Sequence, residues 1–311
     1  MKGSMKNRCG RVALIGPPNA GKSTLLNALL GQKITIVTPK PQTTRSQIVG
    51  ILTESGSQAI FFDTPGLSTV RGRLSRTMKQ AVWESLRQAD VLLPVLDANC
   101  YSRHGEILEK DIAPFRDALE NESRPLLFAL NKVDLLGDKT RLLPLIERLN
   151  GLWPKAELFP VSAETKDGLD GLKDLLIRLL PEGEPEYPDD QLSTQPVRFM
   201  VSEIIREKIY LNLRQEVPYG CAVAVETWEY SAETDQTVIG AVIFVARPIY
   251  KAMVIGHGGT MIRKIGTEAR REIKELLDGN VHLDLWVSVK EHRIDDPEVL
   301  GDLLLAGADR E

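Results

Sequence analysis

No stretch of this 311-residue chain approaches the roughly 18 consecutive apolar residues of a membrane-spanning helix, so no integral membrane segment is expected. The opening run MKGSMKNRCG carries charge but no apolar core, which argues against a secretory leader. Cysteine is scarce: Cys9, Cys100 and Cys221 are odd in number, far apart and without metal-ligand spacing. That disfavours a disulfide framework and predicts small, buried or half-buried reduced thiols in a cytoplasm. Positive charge is not in excess, since the net charge is −4, so any nucleic-acid binding has to use a local patch. No internal repeat is visible.

What remains is the composition of an ordinary globular protein, with 42% hydrophobic and 26% charged residues and a length that suggests about two domains. The first half alternates apolar runs with helical patterns. RVALIG (11–16), QAIFFD (58–63), ADVLLPVLDA (89–98), PLLFALNKVD (125–134) and AELFPVSAET (156–165) read as strands. Pro94 within its run marks an end of strand pairing. Helices between strands predict a doubly wound, mostly parallel α/β sheet. A stretch rich in proline and acid, PEGEPEYPDDQ, reads as a linker. After it the order becomes α-β-β-α-α-β, an α+β unit. In VHLDLWVSVK, residues Val281, Leu283, Leu285, Val287 and Val289 alternate onto one face. The expected divisions are a nucleotide-binding domain over 1–180, a linker over 181–196, a second domain over 197–291 and an acidic tail over 292–311.

Between the first strand and a helix starting near Lys22, GPPNAGKS matches the phosphate-binding pattern G-x-x-x-x-G-K-S. Gly16 and Gly21 would let the backbone amides of the loop wrap the phosphates, with Pro18, Asn19 and Ala20 lining it, and the following helix N-terminus favours anions. Lys22 would reach the β- and γ-phosphates; Ser23 would ligate Mg2+, with Thr24 beside it. NKVD (131–134) selects the base. Asp134 can accept two hydrogen bonds from guanine, a donor pair that adenine lacks. Asn131 would tie loops together, the Lys132 stem would cover the base, and SAE would place Ser162 and the Ala163 amide near guanine O6. GTP and GDP are the expected ligands. In DTPG, Asp63 would hold Mg2+ through water and the Gly66 amide would sense the γ-phosphate. Upstream, 38–47 is a candidate switch loop in which Thr43 or Thr44 supplies a hydroxyl to Mg2+. Leu67 follows DTPG where Ras-like enzymes have a water-orienting glutamine, which predicts slow hydrolysis. Asn19 is similar to an asparagine that helps coordinate K+ in related GTPases, which implies that it would compensate in that way; otherwise it only satisfies loop backbone groups.

A second glycine loop, VIGHGGTMI (254–262), lies between two helices. Gly256 and Gly259 are its fixed glycines, with His257 and Gly258 between them. It resembles the GXXG loop of the KH module, which clamps single-stranded nucleic acid by its backbone. Between residues 247 and 274, Arg247, Lys251, Arg263, Lys264, Arg270, Arg271 and Lys274 face only Glu268 and Glu272 as opposing charges. Ile262, Ile265, Ala269, Ile273 and Leu276 recur at helical spacing, leaving several cations outward.

A GTPase domain followed by a type II KH domain resembles the Era family of bacterial ribosome-assembly GTPases over nearly the whole chain. GPPNAGKSTLLNALLGQKI, PQTTR, DTPG, NKVD, VSA, VRFMVSEIIREKI, EVPYGCAVAVE and MVIGHGGTMIRKIG carry the likeness. The resemblance implies binding to the 3′ end of 16S ribosomal RNA, association with the 30S subunit and a role in its maturation. Three positions depart from the family pattern. His257 and Gly258 stand where a lysine or other polar residue is common, and His292 stands where tryptophan is frequent. The alternatives are a related GTPase of tRNA modification or large-subunit assembly, a non-catalytic scaffold, and a membrane-surface switch using the basic face. No basic amphipathic helix with Trp or Phe on its apolar side supports the last. The expected location is the cytoplasm, with peripheral attachment at the inner face of the cell membrane as the alternative.

Overall fold

Apolar residues without a polar partner face dictate the first strand: Val12, Ala13, Leu14 and Ile15 of CGRVALI are all fully buried, as expected of a strand covered by helices on both sides. The computed structural model describes residues 7–40, 43–44, 47–66, 73–120 and 122–290. These residues form two units, divided between Thr194 and Gln195.

In the first unit the elements are β1 (Cys9–Ile15), α1 (Lys22–Leu30), β2 (Ile48–Glu54), β3 (Ser57–Asp63), α2 (Arg73–Gln88) and β4 (Val91–Asp97). They continue as α3 (Ala98–Arg103), α4 (Gly105–Leu119), β5 (Leu127–Asn131), α5 (Leu143–Leu152), β6 (Glu157–Pro160) and α6 (Leu169–Leu179). The sheet order is β2-β3-β1-β4-β5-β6. All neighbours are parallel except β2 and β3. The sequence reading missed β2, although a signal was present. Ser55 and Gly56 take positive φ of 51° and 79° in a two-residue hairpin between Glu54 and Ser57, a turn chemistry typical of tight hairpins. Pro94 does not end strand pairing as expected: register with β1 stops there, where β1 itself ends, but β4 continues past it and pairs with β5 at Val95–Asp97. Parallel strands carry their C-terminal ends to one side of the sheet, and this places Gly16, Asp63, Asp97 and Asn131 around one crevice.

The stretch read as a linker behaves otherwise over most of its length. Gln58, fully buried on β3, uses its whole amide: Oε1 accepts from Glu186 N (2.9 Å) and Tyr187 N (3.0 Å), and Nε2 donates to Tyr187 O (2.9 Å) and Thr53 Oγ1 (3.0 Å). Pro181 O accepts from Cys9 N, Leu192 O accepts from Ile51 N, and Ser193 Oγ donates to Val49 O. Residues 181–193 are therefore a strap bound along the first unit. Composition hid this because the anchoring side chain lies on a distant strand.

The second unit comprises α7 (Val197–Asn212), β7 (Cys221–Ser231), β8 (Gln236–Val245), α8 (Pro248–Ile255), α9 (Thr260–Leu277) and β9 (Val281–Val289). Its sheet runs β7-β8-β9, with β7 and β8 antiparallel and β8 and β9 parallel. Ile265, Ala269 and Ile273 of α9 and Val201, Ile205 and Ile209 of α7 are buried against the sheet face bearing Val223, Ala241 and Ile243. Each fully buried Val or Ile here contributes about 1.5–3 kcal/mol. Val281, Leu283, Leu285, Val287 and Val289 join that core, as the alternation predicts. Ile262 departs from the expected stripe and lines a surface groove.

Candidate functional site

The loop between β1 and α1 is shaped by two glycines that no other residue could replace. Gly16 has φ 146°, and a Cβ there would stand 2.4 Å from Val95 O. Gly21 has φ 93°, and its Cβ would meet Asn131 Nδ2 at 2.3 Å. Both glycines thus let the loop close onto β4 and β5. Lys22 folds over this loop, its Nζ donating to Gly16 O (3.1 Å) and Pro17 O (3.0 Å). Burial lowers its pKa to about 8, against the opposing pull of Asp63. The cleft is lined by Pro18, Asn19, Gly21, Lys22, Ser23, Thr24, Thr43, Thr44 and Gly66, so most of the predicted phosphate-site residues meet here. Gly66 lies against Pro18, to which an added Cβ would come within 2.8 Å. Leu67 lies outside the described residues, as does His292.

Three oxygens converge behind the cleft. Ser23 Oγ donates to Asp63 Oδ2 at 2.6 Å and lies 3.0 Å from Thr44 Oγ1. Thr43 is turned elsewhere, its Oγ1 bonded to Thr38 Oγ1 (2.6 Å) and Lys40 O (2.8 Å). Of the two threonines left open by the sequence, Thr44 is the one whose hydroxyl lies beside Ser23. Asp63 is fully buried, and its Oδ1 has no hydrogen-bond partner among the described residues. Burial raises its pKa to about 6, opposed by the Ser23 hydrogen bond and Lys22. A buried, half-satisfied carboxylate beside two hydroxyls is a hard-oxygen donor set that fits Mg2+.

The base-reading segments interlock with the phosphate loop. Asn131 Nδ2 donates to Ala20 O (3.0 Å), and Asn131 Oδ1 accepts from Ala163 N (3.0 Å). The Ala163 amide is thus engaged by Asn131. Lys132, at φ 67°, donates from Nζ to Asn19 O (2.6 Å) and Asp97 Oδ2 (2.7 Å). Asp134 is exposed, and its Oδ1 accepts from the buried Ser162 Oγ at 2.6 Å. Asn19 is also left-handed, at φ 62°, and its exposed side chain makes no hydrogen bond among the described residues. The sequence reading assigned nothing to Asp97; a helix-capping aspartate after an apolar strand was the available signal.

In the second unit, the turn between α8 and α9 is a run of positive φ: Gly256 at 74°, Gly258 at 57° and Gly259 at 77°. Nothing lies within 4 Å of a Cβ built at Gly258 or Gly259, so the backbone is open to close approach. Gly259, Arg263 and Arg270 line a groove of about 360 Å³ together with Ile262, Gly266 and Leu285. His257 and Gly258 are exposed at the turn, and Lys264 is exposed one residue beyond Arg263. Lys251 is exposed on α8 and is not among the groove's lining residues. No described helix is long and apolar enough to cross a membrane.

Residues 11–132 match the family described as 50S ribosome-binding GTPase, and residues 216–293 match the KH domain family. The chain is 62% identical to GTPase Era of Desulfovibrio desulfuricans over 95% of its length and 96% of the relative's. It is 55% identical to GTPase Era of Nitratidesulfovibrio vulgaris over 93% and 94%. Among solved structures, a variant of Aquifex aeolicus Era bound to GDP and AlF4− matches at TM-score 0.85 and 35% identity, covering 95% of this chain and 98% of that one. An Era complex with MgGDPNP and nucleotides 1506–1542 of 16S ribosomal RNA matches at TM-score 0.86 and 35% identity, covering 96% and 98%. Such identity over almost the full length, joined to a phosphate loop and a GXXG unit in the same order, places this chain in the Era family of GTPases, to which it belongs.

Proposed function

We propose that this GTPase binds the single-stranded 3′ end of 16S ribosomal RNA through its second unit and acts in maturation of the 30S subunit. The observation that carries the reading is the open turn at Gly258 and Gly259, with Arg263 and Arg270 lining the adjoining groove. An open glycine backbone beside outward cations suits a phosphate chain. An Era relative of similar fold is bound to 16S nucleotides 1506–1542, which supports the same partner here. Lys251, His257 and Lys264 would flank the contact.

In the first unit, the Gly16–Thr24 loop would wrap the phosphates, with Lys22 moving from its carbonyl partners to the β- and γ-oxygens. Ser23 and Thr44 would hold Mg2+ directly and Asp63 through water; the ion supplies neutralisation of phosphate charge. Asp134 would read the guanine edge, with Ser162 fixing its carboxylate. The Asn131–Ala163 bond makes O6 recognition at Ala163 a shared contact. Gly66 would report the γ-phosphate, and Asn19 would help hold K+.

Aspartate tolerates left-handed backbone better than most residues, so Gly258→Asp with Gly259→Asp adds charge at the turn without a clash. RNA binding by fluorescence anisotropy should fall by roughly tenfold or more, while GDP affinity stays near wild type. Charge reversal at Arg263 and Lys264 should also flatten the salt dependence, by about 0.7 in log–log slope per lost phosphate contact. A folded double-aspartate chain that binds RNA normally would place the RNA site elsewhere. Preference for anionic vesicles over RNA at matched salt would favour the membrane alternative.

A further inference from the structure

The crevice receives one side chain to which the nucleotide chemistry assigns nothing. Asp97 closes β4, in register with Asn131 at the end of β5. Its two oxygens have separate partners. Oδ1 accepts the Cys100 N–H at 2.9 Å and caps α3. Oδ2 lies 2.7 Å from Lys132 Nζ, which also donates to Asn19 O at 2.6 Å.

Lys132 needs such a partner. Its φ of 67° is one that a long side chain does not favour by itself. An ammonium on a four-carbon stem has three rotatable donors, and a single neutral carbonyl would leave the stem free to sample rotamers. A fixed carboxylate supplies a second, charge-assisted bond. Lys132 and Asp97 are only 30% and 21% exposed, so solvent screens the pair less than it would on an open surface. The carboxylate is itself held, because its other oxygen is tied to the first turn of α3.

We propose that Asp97 is a positioning residue for guanine nucleotide binding. It holds Lys132 so that the aliphatic stem lies over the base and the ammonium latches the base-reading loop to the phosphate loop at Asn19. The inference rests on reading Lys132 as the cover of the base. Its rival is that Asp97 only caps α3. Asp97→Asn separates the two roles, since the amide oxygen can still cap while the charge is gone.

The measurement is the release rate of fluorescent GDP from the full-length chain, for wild type, Asp97→Asn, Lys132→Ala and the double variant. Asp97→Asn should release GDP about ten- to a hundredfold faster, the range expected for a lost charge-assisted hydrogen bond. The KM for GTP should rise more than kcat falls, and the melting temperature should stay near wild type. In the Lys132→Ala background, Asp97→Asn should add less than about twofold, because the residue acts through that lysine. Wild-type release from Asp97→Asn, or effects that multiply in the double variant, would overturn the inference and leave Lys132 over the base. Wild-type release from Lys132→Ala would overturn both.

Discussion

Asp63 is fully buried, with one oxygen bonded to Ser23 and the other bare. Burial raises its pKa from 3.8 to about 6. A carboxyl raised in the folded state binds its proton more tightly there than in the unfolded chain. Its stabilising contribution is therefore complete below the unfolded pKa and is lost as pH rises through about 6. The loss amounts to about 3 kcal/mol. Lys22, lowered to about 8, stays charged across that window and leaves the sign unchanged. Without nucleotide and Mg2+, wild type should lose about 2 kcal/mol relative to Asp63→Asn between pH 4.5 and 7 by urea unfolding. Parallel stability curves would show that the buried charge carries no such penalty. Asn19 gives a second test. Its left-handed backbone makes Asn19→Gly a cleaner variant than alanine. GTP turnover should be faster in KCl than in NaCl at equal ionic strength, and the glycine variant should abolish the difference. Identical wild-type rates in the two salts would remove K+ from the mechanism. At this scale, contiguous motifs were legible: the phosphate loop, DTPG and NKVD each carry their chemistry within a few residues. Asp97 and Gln58 were not, because their partners lie 35 and 129 residues away in sequence.

The α8–α9 turn shows how one element assigns different jobs to neighbouring glycines. Gly256 has φ 74° and ψ 171°, and a Cβ there would stand 2.7 Å from Met261 Cβ and 2.8 Å from Met261 N. It is the packing glycine. Gly259 has a similar φ but open space around it, so it is the approachable one. Gly256→Ala should cost about 2–4 kcal/mol, from a strained backbone and a collision with main chain. Gly259→Asn should cost less than about 1 kcal/mol, since asparagine accepts left-handed geometry. Urea unfolding followed by circular dichroism compares them, and equal costs would mean that the turn relaxes around either substitution. Read from spacing alone, the two glycines have the same role, because spacing reports that a turn needs glycine and not which atom faces the neighbour. Periodicity did better with α9 and β9, where one face is buried against a sheet and the pattern repeats over several turns or residue pairs.

At the scale of the whole molecule, the boundary between the two units is the feature that composition misplaced. Proline and acid in 181–191 suggested free chain, yet the strap belongs to the first unit. Besides the Gln58 bonds, Gly183 N donates to Asn7 O (3.1 Å), and Arg11 pairs with Glu186 at 2.6 Å. Tyr187 packs against a small cluster of Cys9, Ile60 and Phe62. A fragment ending after Thr194 should therefore fold and bind GDP with the thermal stability of the first unit. A fragment ending after Leu180 loses the partners of Cys9 N, Ile51 N and Val49 O and three of the four Gln58 bonds, leaving that to Thr53, and exposes the Tyr187 side of the cluster. Hydrogen bonds are worth about 0.5–1.5 kcal/mol each in net terms, so the loss is on the order of 5 kcal/mol. For a unit of this size, that corresponds to a melting temperature lower by roughly 10 °C or more. Differential scanning calorimetry of the two fragments, each with and without GDP, tests the strap directly. Coincident melting curves would mean that residues 181–193 contribute nothing to the first unit and act as free chain. A gap that closes on restoring the strap, but not with the strap carrying Tyr187→Ala and a Gln58→Leu partner, would assign the stability to these named contacts.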